Sequence, residues 1–187
     1  MPGGFCSAGR NRITGFERMK KETYEMIFRK VQALPGGVRI VQAVGRVLAY
    51  AAAGVYLMAV GRKVYCQEKE AAVLLTVVPA VSFLLVSAFR KHYNAKRPYE
   101  LYGFVPLIKK ETKGKSFPSR HVFSIFVIGS SVIWFYPMAG TLVCLSGCLL
   151  AAIRVVTGVH FPKDVFAGAL VGILCGCIAG GFYYLLA

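Results

Sequence analysis

Carboxylates are scarce in this chain. Its 187 residues carry eight acidic side chains against 23 Lys and Arg, and only one of the eight, Asp164, is an aspartate. Seven glutamates scattered along the sequence leave no cluster of oxygen donors of the kind magnesium or calcium needs, so no metal site and no cofactor is expected. Histidine is nearly as sparse, occurring only as His92, His121 and His160. The six cysteines, at 6, 66, 144, 148, 175 and 177, include no Cys-x-x-Cys pair, and four of them lie inside apolar runs. They read as small packing residues, not as a disulfide framework or a zinc site. The first 39 residues are polar and basic and lack an early apolar core, so no cleavable signal peptide is expected.

What the chain has in abundance is apolar surface and positive charge. Hydrophobic residues make up 56% of it, with a mean hydropathy of +0.56, which is too apolar for an ordinary soluble domain. The formal net charge is +15. An excess of that size fits nucleic acid, anionic lipid or an anionic substrate, and the membrane-length apolar runs favour lipid phosphate over nucleic acid.

The apolar pattern predicts an all-α membrane helix bundle. Residues 1–21, without apolar periodicity, are expected to be a loose basic tail. From Glu22 to Leu34, Tyr24, Ile27, Phe28 and Val31 recur at helical spacing between basic residues and end at Pro35-Gly36-Gly37. This is the pattern of an amphipathic helix on the membrane surface, or alternatively of one packed on a partner. Five transmembrane helices are then expected, at about 40–60, 71–89, 121–137, 139–157 and 164–186, the first containing Arg46. The division is thus a basic tail with an amphipathic helix over 1–39 and a membrane domain over 40–187. The turn at Pro137 to Gly140 is short enough to force an antiparallel hairpin. The polar loop 90–120 therefore enters the third membrane helix on the face where 154–164 joins the fourth to the fifth.

Three clusters meet on that face. They are Arg90-Lys91-His92-Tyr93-Asn94-Ala95-Lys96-Arg97-Pro98, Phe117-Pro118-Ser119-Arg120-His121, and Arg154 through Asp164. Each alone has a plain structural explanation, as headgroup anchors or helix caps. Together, the guanidinium forks of Arg90, Arg97 and Arg154 and a helix N-terminus near Ser119 suit phosphate, with two imidazoles beside it. An arginine, an imidazole and a carboxylate at a membrane edge point to a functional site. His92 reads as a solvated or headgroup-facing residue, and Lys109, Lys110, Lys113 and Lys115 as either a gatherer of anionic headgroups or a solvated charge run.

These spacings resemble the membrane branch of the type 2 phosphatidic acid phosphatase (PAP2) superfamily, marked by Lys-x6-Arg-Pro, Pro-Ser-Gly-His and Ser-Arg-x5-His-x3-Asp. Here the corresponding runs are Arg90-x6-Arg97-Pro98, Pro118-Ser119-Arg120-His121 and Ile153-Arg154-x5-His160-x3-Asp164. The resemblance covers about 90–175. Arg90 stands in the place of lysine, with Lys91 one register away; Arg120 replaces a glycine and adds a further cation; Ile153 replaces a serine.

The resemblance implies a metal-independent lipid phosphatase of a bacterial cell membrane. His160 would be the nucleophile that forms a phosphohistidine, His121 the general acid, and Asp164 the group that orients His160. Arg90 or Lys91, with Arg97, Ser119, Arg120 and Arg154, would hold the phosphate. The implied substrates are phosphatidic acid, phosphatidylglycerophosphate, undecaprenyl diphosphate and other lipid phosphates. A lipid phosphotransferase using the same histidine and a non-catalytic anionic-lipid binder are the alternatives. Counting Lys and Arg places the amino-terminal segment and the catalytic loops on the cytoplasmic face, whereas many relatives have six crossings and an outward-facing site.

Overall fold

A computed structural model describes residues 15–108 and 112–186. The first part of the expected basic tail, residues 1–14, and Lys109 and Lys110 of the basic loop lie outside the described residues. Among those described, all regular structure is helical: α1 (Gly15–Ala33), α2 (Gly37–Tyr65), α3 (Lys69–Tyr93), α4 (Pro98–Tyr102), α5 (Arg120–Ile133), α6 (Pro137–Val156) and α7 (Pro162–Leu186).

The joint between α1 and α2 is set by Gly36, whose φ of 70° lies in the left-handed region that a side chain disfavours. Helices α2, α3, α6 and α7 are long and apolar enough to cross a membrane. Large apolar side chains such as Leu57, Leu84, Leu145 and Phe166 stand exposed on them, as lipid-facing residues do.

The stretch expected to cross at 121–137 forms a shorter helix. Its 14 residues span about 21 Å at 1.5 Å per residue, less than the roughly 30 Å hydrocarbon core. The reason lies at Pro137, which opens α6. The α region is disfavoured for a residue before proline, and Tyr136 has φ −139° and ψ 77°, so the apolar residues Trp134 to Tyr136 turn instead of extending the helix. The expected hairpin is present, with its turn at 134–136.

Helix α5 lies at the centre, against α7, α6, α3 and α2. Val122, Phe123, Ile125, Val127 and Val132 are almost completely buried. Its approach to α7 is made possible by Gly168, Gly172, Gly176 and Gly180 at every fourth position, the first two against backbone, Gly176 against Ser130 and Gly180 against the Trp134 ring just beyond α5. A Cβ at Gly168 would stand 2.7 Å from the Ser119 carbonyl oxygen, and one at Gly172 would stand 2.8 Å from that of Phe123. Small residues at such spacing let membrane helices touch backbone to backbone. Gly172→Ala is therefore expected to destabilise the detergent-purified protein by about 1–3 kcal/mol through overpacking. Gly54→Ala, where a Cβ would meet nothing within 4 Å, should leave the melting temperature unchanged. Equal melting temperatures for wild type and Gly172→Ala would refute the close contact.

Helix α1 uses its apolar stripe within the chain. Tyr24 and Phe28 pack against Tyr102 and Phe104, with Ile27, Val31 and Phe161 around them. The Phe28 and Phe104 rings meet edge to face at 5.3 Å, a favourable aromatic geometry. The amphipathic helix thus sits at the end of the bundle where the three clusters meet.

A cationic cavity with a buried histidine

The first cluster is shaped by α3 and α4. Arg90 ends a buried face of α3, and its guanidinium donates to the carbonyl oxygens of Ser116 (3.2 Å), Pro118 and Lys115. Arg97 precedes Pro98, the N1 residue of α4. Its backbone N–H donates to Glu100 Oε2 at 2.7 Å, while Glu100 Oε1 accepts from Gly114 N–H, also at 2.7 Å. One carboxylate thereby ties α4 to the loop. The Arg97 guanidinium donates to the carbonyls of Gly114 and Val159, each at 3.0 Å. Only 7% of Arg90 and 3% of Arg97 remain exposed.

The third cluster turns at Gly158. Its φ is 73°, and a Cβ there would stand 2.7 Å from both the Phe28 and Phe104 rings, so only glycine fits. The turn carries His160 into the interior, 1% exposed. Behind it lies Asp164, in the first turn of α7. Asp164 Oδ2 accepts hydrogen bonds from the Ser116 hydroxyl and from the Phe161 N–H (3.0 Å), and lies 3.6 Å from His160 Nδ1. That last separation exceeds a hydrogen bond. Ser116 Oγ, 3.4 Å from Nδ1, lies beside both groups. The second ring nitrogen, Nε2, faces away from Asp164 and lies 3.4 Å from Arg97 Nη1.

A cavity of about 490 Å³ opens onto this arrangement, lined by Arg90, Lys91, Arg97, Arg120, His121 and His160, with Ser87 and 112–115. Among the described residues, no carboxylate lines it. Burying guanidinium groups without carboxylate partners leaves positive charge that an anion would neutralise. His160 responds to the same surroundings. Burial above all, then the charges of Arg97 and Arg90, lower its pKa from the ordinary 6.5 to about 4, with Asp164 opposing them. The ring is accordingly neutral at pH 7.

Of the residues singled out from the sequence, the structure brings His160, His121, Arg90, Lys91, Arg97 and Arg120 to one cavity wall and sets Asp164 directly behind His160. It does not bring Ser119 or Arg154 there. Ser119 precedes α5, its N–H donating to the Asp164 carbonyl at 2.8 Å and its hydroxyl buried without a partner. Arg154 points into a separate cavity beside α2. His92 is exposed, as expected. Ser116 and Glu100 were not apparent in the sequence, since a lone loop serine or glutamate shows no pattern. No group of three His, Cys, Asp or Glu side chains converges among the described residues.

The PAP2 superfamily model matches residues 71–185 of this chain. The chain belongs to the PAP2 superfamily. Other similarities agree with that. The bacitracin transport permease protein BcrC of Bacillus licheniformis is 31% identical over 124 residues, or 64% of this chain and 61% of BcrC. The matched part thus spans less than two thirds of that relative. The crystal structure of LpxE from Aquifex aeolicus superposes with a TM-score of 0.61 and 27% identity, covering 84% of this chain and 92% of LpxE. A transmembrane PAP2-type phosphatidylglycerolphosphate phosphatase from Bacillus subtilis has the same fold at 20% identity, with a TM-score of 0.68 over 93% and 89% of the two chains. With its four long apolar helices, this PAP2 member is an integral membrane protein with bacterial relatives.

Proposed function

We propose that this PAP2 protein is a lipid phosphatase that hydrolyses a lipid phosphomonoester or diphosphate through a phosphohistidine on His160. The observation that carries the reading is the buried, neutral His160, backed by Ser116 and Asp164, at the wall of a cationic cavity. With Nδ1 turned to Ser116 and Asp164, the proton resides on Nδ1 and the Nε2 lone pair is available. Nε2 attacks phosphorus as the bond to the leaving oxygen breaks, and His121 gives that oxygen its proton. Water then cleaves the N–P bond and regenerates the imidazole. Arg90, Lys91, Arg97 and Arg120 stabilise the equatorial oxygens.

An amphiphilic substrate is supported by the neighbouring cavities. One of about 300 Å³ shares Arg120 and His121 with the cationic cavity and is otherwise lined largely by Ala49, Ala52, Ile125, Ile128 and Leu150. A third, of about 480 Å³, shares Phe83, Ser124 and Ile128 with it and runs between α2, α3 and α5. Phosphate would sit among the arginines with the chain continuing between the helices. Phosphatidic acid, phosphatidylglycerophosphate and undecaprenyl diphosphate all meet that description, and the domain that does this work is 40–187, with 1–39 as its basic amino-terminal extension.

The test is phosphate release from a panel of these lipids by detergent-purified protein in EDTA. Release from at least one supports the reading; release from none favours a carrier or binding protein, a role that the description of BcrC as a transport permease also raises. A separate check is an NMR titration of His160, assigned by its absence in His160→Ala. A neutral ring is the nucleophile, and its folded pKa is lowered, so the ring should stay neutral as pH falls through 6.5 and protonate only near pH 4. Midpoint titration at 6.5 or above would contradict the buried, cation-flanked placement.

A further inference from the structure

Helix α1 precedes residues 71–185, the part that the family model matches, yet it is built into the support of His160. Phe28 is buried in a cluster with Tyr102, Phe104 and Leu107, and Phe161 packs against that cluster. The tip of the Phe28 ring, Cζ, lies 2.7 Å from where a Cβ on Gly158 would stand, and Phe104 approaches the same point equally closely. The two rings thus fill the space beside the Gly158 backbone. Three residues on, Phe161 meets Tyr102 edge to face at 6.0 Å. His160 is therefore flanked in the chain by two residues seated on the aromatic cluster that α1 helps to build. No described residue of α1 lines the cationic cavity itself.

The turn needs such backing. Gly158, at φ 73°, lets the chain reverse before His160, but glycine by itself does little to restrain the backbone. The His160 N–H is held only by the Arg154 carbonyl, at 3.3 Å. In-line attack requires Nε2 within a fraction of an ångström of its place, and a misplacement of about 1 Å costs on the order of 10²-fold in rate. Close-packed rings against the turn resist that displacement. We propose that Phe28 is a positioning residue for His160: its ring, carried by a helix outside the cavity, holds the Gly158 turn so that Nε2 faces the cations. The assignment rests on the reading of His160 as nucleophile, and it gives α1 a part in the reaction without contact to substrate.

Turnover of a lipid phosphate and the NMR titration of His160 test this together in full-length, detergent-purified protein. Wild type, Phe28→Ala, Phe28→Leu, Met26→Ala and Leu75→Ala would be compared. Met26 is exposed on α1. Leu75 is fully buried toward the end of α3 remote from Arg90, and so reports what loss of packing alone does. In Phe28→Ala, kcat is expected to fall on the order of 10²-fold. KM should stay within a few-fold, because the carbonyls of residues 114–118 still anchor Arg90 and Arg97. Phe28→Leu should recover part of the loss, and both controls should keep kcat within a few-fold of wild type. A loosened turn admits water to the imidazole, so its midpoint should rise from about 4 toward 6.5 in Phe28→Ala, less in Phe28→Leu, and not in the controls. If Phe28→Ala misfolds, as its melting curve would reveal, Phe28→Leu carries the test. Absence of turnover in the wild type would sink the phosphatase reading, and the titration would then decide the positioning by itself. A His160 midpoint unchanged from wild type in the Phe28 variant, or a kcat reduced no more than in Leu75→Ala, overturns the assignment.

Discussion

Alanine in place of His160 is expected to lower kcat for phosphate release on the order of 10⁶-fold, the scale seen when the nucleophile or base of a hydrolase triad is removed. The ring is 1% exposed and presents one nitrogen, Nε2, toward the cations while the other faces Ser116. No second imidazole takes its place, because His121 stands at the mouth of α5 on another part of the wall. Arg90 and Arg97 are anchored chiefly by the backbone carbonyls of residues 114, 115, 116, 118 and 159, and the 3.4 Å approach of Arg97 to His160 Nε2 is the one contact that the variant removes. Substrate affinity in the variant should consequently stay within a few-fold of wild type. Steady-state kinetics in EDTA, paired with equilibrium binding of the same lipid phosphate, separates the two quantities. Turnover within tenfold of wild type would remove His160 from the chemistry and bring the carrier reading forward.

Asparagine at Asp164 is expected to be the next most damaging change, with kcat falling on the order of 10⁴-fold while the fold persists, as happens when the orienting carboxylate of a hydrolase triad becomes an amide. Asp164 Oδ2 receives the Ser116 hydroxyl and the Phe161 N–H, and an asparagine oxygen keeps the shape and both acceptor roles. It loses the charge that supports a cationic ring in the phosphoryl-transfer step. An amide nitrogen turned toward Ser116 would instead reverse the hydroxyl and favour the wrong tautomer of His160. Kinetics and a thermal melt on the same preparation decide the matter. A tenfold or smaller loss of kcat would confine Asp164 to shaping the loop, and a collapsed melting temperature with restored activity in cold-purified protein would do the same.

The site was legible in the sequence where chemistry restricts residue type. A single aspartate and three histidines left few candidates for an acid, a base and a nucleophile, and the short turn expected at Pro137 to Gly140, found three residues earlier, indicated which loops share a face. Other features carry no such restriction. Apolar content alone counted Trp134, Phe135 and Tyr136 as membrane helix, whereas the steric demand of Pro137 ends α5 before them. Ser116 acts on Asp164 across 48 positions, a relation that no local pattern encodes. The direction of Arg154 depends on how α6 rotates against α2. Helix α7 is apolar on every side, so periodicity could not say which face packs; the four-residue spacing of its glycines was the available signal and was not read.

The shortness of α5 has a bearing on how the protein meets different bilayers. The four long helices are long and apolar enough to reach across the hydrocarbon by themselves, so a thicker or thinner membrane is accommodated by their tilt. Helix α5 is clasped to α7 along the glycine ridge, and the Ser119 N–H is pinned to the Asp164 carbonyl. His121 and His160 therefore keep their mutual register through a contact that the lipid does not grip. Changes in acyl-chain length should act on the apolar cavities between α2, α3 and α5 while leaving the spacing of the two imidazoles untouched.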